Sequence, residues 1–119
     1  MKQALVVDRD GAVGDFAATV LRESEYELTI VESLQLALGL VSSAPYHLIM
    51  IAQPELCPDV LWRMVESIKR LSSDASLVLV QAKSADNHFH ARAQALGAIV
   101  LSTPLGVAAR TAIEEATLG

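Results

Sequence analysis

Short apolar runs alternate with segments of helical periodicity along this chain. Four runs contain only hydrophobic residues, which is typical of strands that are covered on both faces of a sheet. These runs are 4–7, 48–51, 77–80 and 99–101. A fifth run, 28–31, includes Thr29 and is more polar, so we expect it at an edge of the sheet.

Between these runs, apolar residues recur at the i, i+3, i+4, i+7 spacing that gives a helix one buried face. The stripes are Val13, Phe16, Ala17, Val20 and Leu21; Leu34, Ala37, Leu38 and Val41; Leu61, Met64, Val65 and Ile68; Ala85, Phe89, Ala93 and Leu96; and Leu105, Ala108, Ala109, Ala112 and Ala116. Ser33 and Ser84 are candidate helix caps. Pro58 and Pro104 fit first helical positions.

Five strands that alternate with five helices predict a doubly wound α/β domain on a mainly parallel sheet. In such folds, ligands bind at the carboxyl ends of the strands. A chain of 119 residues, 52% of them hydrophobic, is long enough to bury a core as one domain over 1–119. No apolar run approaches the length of a membrane span.

Charge and cysteine content narrow the function classes. The net charge of −5 argues against direct binding of nucleic acid, which needs clustered Lys and Arg. The single Cys57 excludes an internal disulfide and agrees with a cytoplasmic location, as does a start at residues 1–3 that leads straight into a strand. We expect no membrane partner.

The usual catalytic and ligand motifs are not found in the sequence. Gly11 and Gly14 do not make the dinucleotide-binding spacing. His88 and His90 lie two residues apart, so on one helix they point to different sides and do not form a zinc pair. We therefore expect no cofactor, no metal site and no enzymatic activity. His47, before the third strand, is expected to be structural.

Four local patterns resemble a response-regulator receiver (CheY-like) domain. They are 5–8 at the first strand, 25–28 before the second, 45–51 leading into the third, and 95–98 followed by 102–104 around the fifth. The resemblance covers almost the whole chain and implies a flavodoxin-like sheet with strand order 2-1-3-4-5. It also implies a signalling role in bacterial two-component signal transduction, with this domain as the N-terminal module of a larger regulator.

The metal-binding acids of that family are only partly matched. Two adjacent acids after the first strand help to hold Mg²⁺ in the family. Asp8 matches the first acid, but Arg9 occupies the position of the second. Asp10 follows, and its Gly-Ala-Val sequel favours a helix cap over a metal ligand. Two interpretations of Arg9 are open: a cation that pairs with Asp8 or Asp10, or a solvated loop arginine.

The phosphorylation positions of the family are also changed. Ala52 aligns with the phospho-acceptor Asp, and a methyl group cannot be phosphorylated. Gln81 stands in place of a Ser or Thr, Thr103 in place of the Lys before Pro104, and Val100 in place of an aromatic switch residue. The resemblance therefore implies a degenerate pseudo-receiver.

The leading hypothesis is a module that acts by protein–protein interaction without phosphorylation. Its partner is expected to be another protein, an attached effector domain or a second copy. The family's contact face corresponds here to residues 84–117. Its candidate residues are Phe89, Arg92, Gln94, Val100 and Arg110. Trp62 lies off the apolar stripe of its helix, which predicts an exposed side chain. Two interpretations are open: a contact with a partner, or a side chain that is merely partly buried.

Two other hypotheses are open. In one, the vacated pocket binds an anion, a nucleotide or a metabolite, with Arg9, Gln81 and Thr103 as donors. The lack of a recognised phosphate-binding loop argues against it. In the other, Ser102 or Thr103 takes part in phosphotransfer.

Overall fold

A computed structural model of the protein describes residues 2–9, 11–23, 25–52, 58–81, 87–102 and 106–118. Strands and helices alternate throughout, as the hydrophobic pattern predicts. The strands are β1 Lys2–Val7, β2 Tyr26–Val31, β3 Leu48–Ala52, β4 Ser76–Gln81 and β5 Ile99–Ser102. The helices are α1 Ala12–Glu23, α2 Leu34–Val41, α3 Pro58–Leu71, α4 Asn87–Ala95 and α5 Val107–Leu118.

Over the described residues the strands form one parallel sheet in the order β2-β1-β3-β4-β5. The predicted doubly wound α/β fold and its strand order are therefore confirmed. The more polar strand β2 lies at an edge, as its composition predicts. Strand β5 forms the opposite edge.

Each face of the sheet has its own hydrophobic core, because side chains alternate along every strand. One core joins α2, α3 and α4 to residues such as Leu5 and Ile49. The other joins α1 and α5 to their neighbours Val6 and Met50. The central strands are thus buried on both sides, which explains their continuously apolar sequences.

The predicted helix starts at Ser33 and Pro58 agree with the structure. Ser33 caps α2, since its hydroxyl oxygen accepts a hydrogen bond from the Leu36 N–H at 3.2 Å. Helix α3 begins at Pro58, whose missing N–H costs nothing at a first helical position. Helix α5, by contrast, begins at Val107. Ser84 and Pro104 lie outside the described residues.

Trp62 corrects one sequence-based prediction. The residue is only 4% exposed and belongs to the core between α3 and the sheet, with Val65 and Ile68. Met64 is half-buried. The buried face of α3 is therefore rotated toward Trp62, and the expectation that Trp62 is exposed is wrong.

His47 makes hydrogen bonds between strands at the amino ends of the central strands. Its Nδ1 accepts a hydrogen bond from the Gln3 N–H at 3.2 Å, and its own N–H donates to the Gln3 carbonyl at 2.8 Å. Its carbonyl accepts from the Ser76 N–H at 2.9 Å. His47 thus joins the start of β3 to β1 and β4, in agreement with the structural role expected from the sequence.

Within the described part of the chain, no helix has both the length and the apolar character that crossing a membrane requires.

The two sides of α5 give a test of this packing. Ile113 is completely buried, whereas Val107 is 82% exposed. We expect Ile113→Ala to lower the free energy of unfolding by about 2–5 kcal/mol, because it leaves a cavity. The matched Val107→Ala change should stay within about 0.5 kcal/mol of the parent protein. Urea denaturation followed by circular dichroism measures both, and equal effects would contradict the assigned inner face of α5.

Candidate functional site

The carboxyl ends of the central strands form one edge, where ligands bind in this class of fold. Pairing in register brings these ends side by side. The paired residues are Val7 with Ile51, Ala52 with Val80, and Gln81 with Ser102. Asp8 follows directly after β1, so Asp8, Ala52 and Gln81 lie along the same edge. The side chain of Gln81, together with Asp10 and Thr103, lies outside what the structure describes.

Asp8 is buried at this edge, with 6% of the residue exposed. Its Oδ2 accepts a hydrogen bond from the Gly14 N–H at 2.8 Å, and its own N–H donates to the Val31 carbonyl at 2.9 Å. Gly14 lies in the first turn of α1, where backbone N–H groups have no partner inside the helix. The Asp8 carboxylate therefore caps α1, and the positive end of the helix dipole stabilises its charge.

Gly14 is a site residue that the sequence analysis missed. A Cβ atom on Gly14 would lie 3.2 Å from the Ile30 Cδ1 and 3.5 Å from the Asp8 Oδ2. A glycine therefore lets the first turn of α1 approach both β2 and the carboxylate. Gly11 makes the preceding turn, with a φ of 92° that favours glycine. The signal in the sequence was the pair of glycines around the start of a predicted helix, just after an acidic residue.

Arg9 is exposed and makes no ion pair with another residue that the structure describes. The interpretation in which Arg9 pairs with Asp8 is therefore not observed. Its guanidinium extends from the same edge into solvent. A positive charge next to the Asp8 carboxylate opposes the binding of a divalent cation there.

Ala52 ends β3 between β1 and β4 and is half-buried against the core on the α1 and α5 side. Its methyl group has no oxygen with which to attack a phosphodonor or bind a metal. Nowhere in the described residues do three or more His, Cys, Asp or Glu side chains cluster in a way that could hold a metal ion. The family resemblance implies a Mg²⁺ site at this edge, but Asp8, Arg9 and Ala52 do not fit a magnesium site, which normally uses carboxylates and other oxygens.

The predicted contact residues on α4 and β5 differ in their surroundings. The Arg92 guanidinium lies 3.5 Å from the Glu66 carboxylate and 5.1 Å from the centre of the Trp62 ring, both on α3. Gln94 is exposed. Val100 is half-buried and packs against the core that contains Trp62. The side chain of Phe89 lies outside the described residues.

Arg110 on α5 is paired within the domain. Its Nε donates to the Glu114 carboxylate at 3.0 Å, and its Nη2 donates to the Glu23 carboxylate on α1. Both hydrogen bonds raise the pKa of Arg110 above its ordinary value, and the bond to Glu114 has the larger effect. Arg110 thus links α5 to α1, and a partner would have to share it with two carboxylates.

Comparison with known proteins places the fold. The sequence matches no family model and no curated protein. Solved structures do match. A response regulator from Thermotoga maritima has a TM-score of 0.84 at 12% identity, covering 100% of this chain and 99% of that one. An orphan response regulator of H. pylori has a TM-score of 0.81 at 18% identity, covering 98% and 96%.

A third similar structure contains a phosphorylated residue. It is a response regulator from Burkholderia pseudomallei with a phosphorylated aspartic acid, a calcium ion and citrate. Its TM-score is 0.77 at 21% identity, covering 98% of this chain and 66% of that one. At these identities the similarity establishes the fold: this chain has the flavodoxin-like fold of response-regulator receiver domains.

The capping role of Asp8 gives a second prediction. Asp8→Ala removes the acceptor of the Gly14 N–H, so we expect it to lower the free energy of unfolding by about 1–2 kcal/mol without added metal. Asp8→Asn keeps an oxygen acceptor and should cost less. The control is Asp15→Ala, which removes an exposed acid in the first turn of α1. Urea denaturation measures all three, and equal losses for Asp8→Ala and Asp15→Ala would contradict the cap.

Proposed function

We propose that this domain is a pseudo-receiver: a signalling module that works by protein–protein contact and does not depend on aspartyl phosphorylation. It is not an enzyme, and it acts in the cytoplasm within a bacterial regulatory pathway of the two-component type. Its partner is another protein, an attached effector domain or a second copy of the chain.

The observation that carries this proposal is Ala52. This residue ends the central strand β3 at the edge where Asp8 lies. In the related Burkholderia pseudomallei structure an aspartic acid carries the phosphoryl group. Aspartyl phosphorylation needs a carboxylate oxygen as nucleophile, and an alanine at the end of β3 cannot provide one.

Arg9 and Asp8, at the same edge, support the same function. Arg9 places a cation where the family has a second acid, and Asp8 is bonded to the first turn of α1. With one carboxylate committed to the helix and a guanidinium beside it, this edge is poorly suited to Mg²⁺ and therefore to the charge neutralisation on which phosphoryl transfer depends.

An exposed hydrophobic residue supports a contact surface on the α4–β5–α5 side. Val107, at the start of α5, is 82% exposed, and Gln94 on α4 is exposed as well. Strand β5, between the two helices in the chain, is an edge strand of the sheet. Arg92 on α4 and Arg110 on α5 each have carboxylate partners within the domain, for which a binding partner would compete.

Reaction with a phosphodonor tests whether the domain is independent of aspartyl phosphorylation. We expect acetyl phosphate with Mg²⁺ to leave no phosphoryl adduct on the protein, because Ala52 has no nucleophilic oxygen. Intact-protein mass spectrometry measures the adduct. Titration with Mg²⁺ and then beryllofluoride should likewise leave the ¹H–¹⁵N resonances of Asp8 and Ala52 unshifted.

A receiver whose third strand ends in Asp serves as the positive control for the reagents. The matched variant is Arg9→Asp combined with Ala52→Asp, which restores a second carboxylate and the nucleophile. An adduct on the parent protein would contradict the proposal. Saturable shifts at Asp8 and Ala52 without an adduct would instead favour a domain that binds an anion or a metabolite at this edge.

Surface variants test whether the domain binds its partner through the α4–β5–α5 side. We expect Val107→Glu and Gln94→Glu each to weaken association at least about tenfold, since a buried charge is costly at the centre of an interface. Sedimentation velocity measures self-association. For association with other proteins, the immobilised parent domain first captures its binding partners, and the binding of those proteins to each variant is then measured. The control is Leu36→Glu on α2, another exposed apolar residue that lies on a different helix. Association that is unchanged by both variants on the α4 and α5 side would overturn this assignment.

A further inference from the structure

Helix α4 is weakly anchored by its described apolar side chains. Between residues 91 and 96, Ala93 is fully buried and Leu96 is half-buried, whereas Ala91, Gln94 and Ala95 are exposed. Alanine buries little apolar area, and hydrophobic stabilisation scales with the area buried. Core packing of this part of α4 therefore restrains its position less than the packing of α3, which buries Trp62, Val65 and Ile68.

Arg92 supplies an additional link to α3. Its guanidinium lies 5.1 Å from the centre of the Trp62 ring, within the range of a cation–π contact. It also lies 3.5 Å from the Glu66 carboxylate. Trp62 and Glu66 are four residues apart on α3 and so lie on the same side of that helix. One guanidinium thus meets both an aromatic face and an anion.

The two contacts differ in their exposure to solvent. Trp62 is 4% exposed and belongs to the core, so its ring is a fixed surface. The side chains of Arg92 and Glu66 are 47% and 45% exposed, and dissolved salt therefore screens their attraction. The contact with Trp62 fixes the position of the Arg92 guanidinium. The attraction to Glu66 makes the strength of the link between α4 and α3 depend on ionic strength.

We propose that Arg92 is a latch that holds α4 in one position against α3, and that releasing Arg92 loosens α4. This conformational device is separate from the absence of phosphorylation, and it can be tested without a partner. In a domain whose strand β3 ends in Ala52, it provides another way to set the position of α4. A partner that offers Arg92 a carboxylate would compete with Glu66 and release the helix.

Hydrogen exchange measures the latch directly. The amides of Leu96, Gly97 and Ala98 close the carboxyl end of α4 through bonds to the carbonyls of Arg92, Gln94 and Ala93. We expect Arg92→Ala to speed their exchange about tenfold, the combined effect of losing one cation–π contact and one ion pair. Exchange in α1 should not change, which shows that the variant remains folded.

The matched control is Arg110→Ala. It also removes a half-exposed arginine with carboxylate partners, but one that joins α5 to α1. Exchange at the end of α4 should then stay within about twofold of the parent protein. Equal exchange in the parent, Arg92→Ala and Arg110→Ala would overturn the latch and leave Ala93 and Leu96 as the anchors of α4 among the side chains that the structure describes.

Two further variants separate the two contacts. Arg92→Lys keeps the charge and loses the planar group that stacks on Trp62. Glu66→Gln keeps the shape and loses the anion. We expect acrylamide to quench Trp62 fluorescence more strongly in Arg92→Ala than in Glu66→Gln, because the guanidinium covers the ring.

Ionic strength tests the charged contact. Raising it to about 1 M should speed α4 exchange in the parent protein and have little effect in Glu66→Gln, which has no anion to screen. The same response to salt in both proteins would contradict a role for Glu66 in the latch.

Discussion

The parallel register of β1, β3 and β4 is the constraint on which the rest of this structure depends. These strands are buried on both faces, and side chains alternate between the faces, so a slip of one residue would move every side chain of a strand into the opposite core. The register therefore fixes where each strand ends. It brings Asp8, Ala52 and Gln81 to one edge whatever side chains those positions carry.

Asp8 is a buried acid at this edge of the sheet. A buried carboxylate needs compensation, and the Gly14 N–H and the positive end of α1 provide it. The carboxylate thereby stabilises the junction between β1 and α1. A position that the resemblance associates with metal binding has here a structural task, the capping of α1.

Arg92 and Arg110 show how one residue type braces both sides of the sheet. Arg92 joins α4 to α3 on one side, and Arg110 joins α5 to α1 on the other. Both lie on the helices that flank β5, where we propose the contact surface. On the proposed surface a partner would have to compete for these groups, which would couple binding to the positions of α4 and α5.

Local patterns in the sequence determined the order of the strands and helices, the edge position of β2, the Ser33 cap and the start of α3, because these depend on periodicity and on neighbouring residues. The alignment of strand ends also followed, once the fold was inferred from its resemblance. Tertiary structure alone decided the burial of Trp62, the cap between Asp8 and Gly14, and the partners of Arg92 and Arg110. Helical period gives the spacing of a buried stripe but not its rotation toward the sheet, and an arginine's partner on another helix is chosen by packing that brings distant parts of the chain together.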